Sequence, residues 1–74
     1  MVSSKADSAR KTLGSKLKQA RLGAKLTQAD VAKAADVNTN YYARIERGEE
    51  NPSFEKLNKI LKALKIRSLD VTSN

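Results

Sequence analysis

Between residues 40 and 47 the chain carries side chains with the types and spacing to do recognition chemistry. Asn40, Ala43, Arg44 and Arg47 stand at i, i+3, i+4 and i+7, which places them along one stripe of a helix. An asparagine amide offers one donor group and one acceptor, and each guanidinium offers a planar fork of donors. A solvated helix face ordinarily carries Glu and Lys. This stripe is instead short, polar and basic, with an alanine in its middle. Tyr42 and Ile45 occupy the neighbouring face and give the helix something to bury.

Other chemistries find little support. The 74 residues contain no cysteine and no histidine, which removes thiolate and imidazole metal ligands and the usual neutral-pH general base. The chain is not expected to be an enzyme, and no cofactor or metal is expected. Fifteen Lys and Arg against eight Asp and Glu give a net charge of +7, favouring nucleic acid first and a membrane surface second. No apolar run approaches the roughly 20 residues that span a bilayer. The N-terminal "MVSSKADSARKT" has no secretory apolar stretch either, so a soluble, cytoplasmic protein is expected. The charge is uneven. Residues 13–25 carry Lys16, Lys18, Arg21 and Lys25 with no acid, whereas residues 38–52 net −1 because Arg44 and Arg47 face Glu46, Glu49 and Glu50. Residues 53–66 net +3, with lysines at 56, 59, 62 and 65 that read as the solvated side of a helix.

The elements that must position the stripe follow from periodicity. A chain this short buries only about 60% of its unfolded surface, so it forms one small domain. Residues 1–12 are small and polar and read as a flexible basic arm. From Leu13 an apolar stripe through Leu17, Ala20 and Ala24 predicts a first helix. Thr27, with Asp30 three residues on, reads as a capping box opening a short second helix that turns Val31, Ala32 and Ala35 inward. Asp36 tolerates left-handed backbone angles and Asn38 is a good N-cap, so a third helix starts there and is ended by Gly48. "EENPS" is a loop, and Ser53 caps a fourth helix with a stripe of Phe54, Leu57, Ile60 (or Leu61) and Leu64. The tail "IRSLDVTS" alternates at Leu69 and Val71 and reads as a short strand or an irregular end. The second and third helices are joined by about three residues, which forces a steep crossing of the helix-turn-helix kind.

The stretch "LTQADVAKAADVNTNYYARIERGEENPS" resembles the Cro/repressor-type helix-turn-helix family, also called the xenobiotic-response-element type. The resemblance runs from Leu13 to about Ile66. It rests on Gln28 opening the second helix, Ala32 at the helix crossing, Val37 before the third helix, "IERG" closing that helix and "NPS" opening the fourth. It implies an all-α, compact four-to-five-helix domain of the lambda-repressor-like type, spanning 13–66, with 67–74 as a C-terminal tail. It also implies an ion pair between Arg21 and Glu46 beneath the DNA-facing surface.

In this family the third helix lies in the DNA major groove. The resemblance therefore puts base reading on Thr39, Asn40 and Arg44. Asparagine matches adenine N6 and N7, and arginine matches guanine O6 and N7 bidentately. Ala43 leaves room for the helix to sit deep and to touch a thymine methyl. Gln28, at a helix N-terminus, is expected to clamp a phosphate and brace the third helix. Tyr41, Arg47, Asn51 and Lys18 are further phosphate candidates, Tyr41 having the alternative of shielding the core edge. The Lys5, Arg10, Lys11 arm either lies along a groove or has no role.

The sequence departs from the family in four places. Lys25 and Asp36 stand where glycine is usual, Tyr42 is large for its core position, and Glu49 and Glu50 put negative charge near the expected phosphates. A single recognition helix reads few base pairs, so a homodimer on a pseudo-palindromic operator is expected. Leu64, Ile66, Leu69 and Val71 are the dimerisation candidates. The leading expectation is a sequence-specific transcriptional regulator acting as a repressor, associated with the nucleoid and able to meet polymerase. An antitoxin that binds a toxin and represses its own operon is one alternative, and a protein-interaction adaptor is another.

Overall fold

The computed structural model describes the backbone of residues 5–72 and the side chains of residues 8–65. It contains four helices: α1 (Lys5–Gly23), α2 (Gln28–Ala35), α3 (Thr39–Glu46) and α4 (Phe54–Thr72). The described residues include no strand. α3 packs against α1 and α2, and α4 lies across α2 with a smaller contact to α1.

The helix starts follow the sequence closely. The Thr27 hydroxyl accepts from the Asp30 amide at 3.0 Å while the Thr27 amide donates to Asp30 Oδ2 at 2.9 Å, a complete capping box. Asn38 Oδ1 accepts from the amides of Asn40 and Tyr41, and Ser53 Oγ from that of Lys56. Each such cap contributes about 1 kcal/mol.

The helix ends repeat a single solution. Leu26 N–H donates to Arg21 O and Lys25 N–H to Leu22 O, and the same pair of bonds recurs from Val37 and Asp36 onto Ala32 and Lys33. It appears again from Glu49 and Gly48 onto Arg44 and Ile45. This is the Schellman arrangement, which needs one left-handed residue. That residue is Lys25 (φ 60°), Asp36 (φ 57°) and Gly48 (φ 77°) in turn. Three consecutive helices are thus stopped and redirected within a few residues each.

The core contains Leu17, Val31, Ala32, Ala35, Tyr42, Ile45, Ile60, Ala63 and Leu64. Ala32 is fully buried between the crossing helices, as its size requires. Gly14 does similar work for α1 and α3. A Cβ at position 14 would fall on the Ile45 carbonyl oxygen and 2.5 Å from that of Glu46, so α1 passes directly over the last turn of α3.

Several expectations need correction. Residues 5–12 are helical rather than an arm, because α1 begins eight residues before its apolar stripe, and Ala20 is exposed. Residues 1–4 lie outside the described part. Phe54, expected in the core, is 84% exposed: it occupies the first turn of α4, one turn before Leu57, and no core residue stands opposite it. Ile60 takes the inward position, and Leu61 faces out. The tail is helical to Thr72 rather than a strand.

Two substitutions test this packing. Gly14→Ala should destabilise the domain by at least about 2 kcal/mol, because the clash is with backbone that no rotamer relieves. Lys25→Gly should stabilise it by about 1 kcal/mol through relief of the left-handed angle. Urea unfolding followed by circular dichroism reads both.

Candidate nucleic-acid interface

The eight residues of α3 are divided by direction. At about 100° per residue, Asn40, Arg44 and Arg47 fall within a sector of roughly 60°, and all three are exposed. Thr39 is exposed at the start of the helix. Tyr42, Ile45 and Glu46 face the opposite way and are buried. Ala43 lies on the boundary and is only 8% exposed. Little of its methyl is therefore open to the expected contact with a thymine methyl.

The buried end of α3 is held by one carboxylate. Glu46 Oε2 accepts from Arg21 Nε at 2.7 Å, and Oε1 accepts from Arg21 Nη2 at 3.1 Å and from Gln28 Nε2 at 3.0 Å. Arg21 also donates through Nη1 to the carbonyl of Leu26 at 2.9 Å, which fixes the turn at Lys25. Three elements meet on this group: the end of α1, the start of α2 and the end of α3. Burial alone would push the Glu46 carboxyl up. The hydrogen bonds from Arg21 and Gln28, the nearby Tyr42 hydroxyl and the Arg21 charge together hold it below the usual carboxylate range. The same pairing raises the Arg21 guanidinium, chiefly through its hydrogen bonds to Glu46.

Tyr42, large for its core position, carries a hydroxyl that the core must accommodate. It is buried beside this cluster and makes no hydrogen bond of good geometry. Burial first, and the adjacent Glu46 carboxylate second, push its phenol well up, so it stays neutral.

A family model described as "Helix-turn-helix" matches residues 17–71. The chain belongs to the xenobiotic-response-element type of helix-turn-helix proteins. It is also 39% identical over 56 residues to an immunity repressor protein of Bacillus phage phi105. That match covers 76% of this chain but only 39% of the relative, which is thus much the longer protein.

In this helix-turn-helix chain the resemblance-based candidates separate into distinct groups. The Arg21–Glu46 pair is present and buried, with side chains 10% and 2% exposed. Gln28 braces α3 through Glu46, and its amide nitrogen has a second N–H beyond that bond. Arg44 and Arg47, however, are each paired: Arg44 Nε lies 3.3 Å from Glu50 Oε1, and Arg47 Nε lies 3.1 Å from Glu49 Oε1. Tyr41 is half-buried against the core, with Lys56 Nζ 5.2 Å from its ring centroid. The ring packs on the core edge, consistent with the shielding alternative. Asn51 is exposed and lines a shallow hollow with Ala9, Arg10 and Leu13. Lys18 is exposed on α1.

Three cations gain a place that periodicity did not give them. Arg10 borders the hollow beside Asn51, Lys11 packs against Gly48, and Lys56 reaches Tyr41. In the sequence Arg10 and Lys11 look like part of an arm, and Lys56 looks like one of four evenly spaced lysines. Only the fold of α1 and α4 around the α3–α4 loop distinguishes them. Leu64 is removed from the dimerisation candidates, since it is 4% exposed within its own core. The side chains of Ile66, Leu69 and Val71 lie outside the described residues, as does that of Lys5. Among the described residues no helix is long and apolar enough to cross a membrane.

The Glu46 hub makes stability depend on acid in a defined direction. Its carboxyl sits below the unfolded value of about 4.3, so its contribution is complete above roughly pH 5 and is lost as pH falls through the folded value. Glu46→Gln should lower stability by about 3 kcal/mol at neutral pH. The gap between the wild-type and variant urea midpoints should then narrow steadily as the pH is lowered to about 3. A gap independent of pH would show that the carboxylate charge is not what the hub uses.

Proposed function

We propose that this chain is a sequence-specific DNA-binding transcriptional regulator, acting as a repressor, with α3 in the major groove. The observation that carries this reading is the exposed α3 sector of Asn40, Arg44 and Arg47, mounted on a helix whose opposite face is fixed by the Glu46 hub. Family membership supports it, as does the likeness to a phage protein named as an immunity repressor. Thr39, Asn40 and Arg44 read base edges, with arginine on guanine and asparagine on adenine. Gln28, Arg47 and Asn51, with Tyr41 and Lys18 at the periphery, meet the phosphates, and the basic surfaces of α1 and α4 draw the duplex in. Two copies on a pseudo-palindrome provide enough contacted base pairs for specificity.

A second reading is a helix-turn-helix module that binds protein instead of DNA. It is favoured by the ion pairs that occupy both arginines of the α3 sector.

Selection from random duplex DNA at physiological salt separates the two. Wild type should enrich a pseudo-palindrome with half-sites about 10 base pairs apart. Arg44→Ala should relax one guanine position in each half-site, by about 1–3 kcal/mol. Failure of wild type to enrich any sequence would favour the protein-binding reading.

A further inference from the structure

The loop after α3 does more than connect two helices. Gly48 N–H bonds to Ile45 O at 3.0 Å and Glu49 N–H to Arg44 O at 2.9 Å, so the chain folds back over the last turn of α3. Gly48 can make that turn because of its positive φ, and a Cβ there would also run into Lys11. The consequence is that the backbone brings Glu49 and Glu50 next to the last turn of α3, where their carboxylates meet Arg47 and Arg44. The two pairs differ. Glu50 is the less exposed of the two acids, its side chain 34% exposed against 57% for Glu49.

We propose that Glu50 is a specificity-determining residue, holding Arg44 for a base edge and against the phosphate backbone. The proposal rests on the DNA-binding reading. An unpaired arginine on a recognition surface binds any phosphate it meets, and that contact carries no sequence information. A carboxylate at 3.3 Å changes the comparison. It repels a phosphate approaching Arg44, because both are anions, and it leaves the neutral O6 and N7 acceptors of guanine unopposed. The approach is through Arg44 Nε, and an end-on contact with guanine uses the two Nη groups. Arg47, whose partner is the more exposed Glu49, takes the phosphate role and needs no such selection.

The test compares wild type, Glu50→Gln and Glu49→Gln by fluorescence anisotropy. The probes are the operator recovered by selection and a scrambled duplex of equal length, each measured across a salt series. Glu50→Gln should bind scrambled DNA about fivefold more tightly, with a salt dependence steeper by about one unit, while operator affinity gains much less. Repeating the selection with this variant should relax the guanine position assigned to Arg44. Glu49→Gln should tighten both duplexes in parallel and leave their ratio unchanged. An unchanged ratio in Glu50→Gln overturns the proposal. So does a fall as large in Glu49→Gln, which would show an effect of bulk charge. If wild type recovers no operator, the DNA-binding reading fails and this assignment fails with it. If an operator is recovered and only the ratio test fails, the function stands and the role of Glu50 does not.

Discussion

Everything about the α3 surface depends on a buried carboxylate. Glu46 is placed where desolvation opposes its charge, and it survives there because Arg21 and Gln28 give it three hydrogen bonds. A buried pair of this sort is weak evidence for net stability, since well-packed apolar groups could do as well. Its contribution here is positional. One bond-rich group ties the end of α1, the start of α2 and the end of α3 to a common point. The angle at which α3 meets its neighbours follows from that point and from Gly14, which lets α1 lie against the carbonyls of Ile45 and Glu46.

The turns contribute a second constraint, and it is repetitive. Helices of eight residues are too short to be stable alone, so they depend on tertiary contacts and on their ends. Each of the first three helices ends in a left-handed residue with the same two backbone bonds. Two of those residues are not glycine. Lys25 and Asp36 accept backbone strain in exchange for a chain that reverses quickly, and the strain is held by the bonds around it, including Arg21 to Leu26 O.

How much of this was legible depended on whether a feature is local. The helix N-caps, the helix stop at Gly48 and the packing of Ala32 were readable because each follows from residues within one turn. The Arg21–Glu46 pair was readable only through the family resemblance, since 25 residues separate its members. The start of α1 was missed because Lys5 to Thr12 carry no apolar stripe, and nothing in periodicity marks a helix that projects beyond the core. Phe54 was misplaced for a related reason. It has the right spacing, but a stripe does not reveal where the opposing surface ends. The pairing of Arg44 with Glu50 and of Arg47 with Glu49 was invisible as geometry, although the acids themselves stood out as a departure. Their meeting depends on the backbone of the turn at Gly48.

The division of α3 has an evolutionary consequence. The residues that hold the helix, Tyr42, Ile45 and Glu46, and those that face outward, Thr39, Asn40 and Arg44, form separate sets. Exposed positions away from caps and cores change stability little when substituted, typically within about 0.5 kcal/mol. A lineage carrying this scaffold can therefore rewrite its outward residues one at a time without passing through unfolded intermediates. What constrains such divergence is the need for each new outward residue to remain compatible with the acidic turn that follows it.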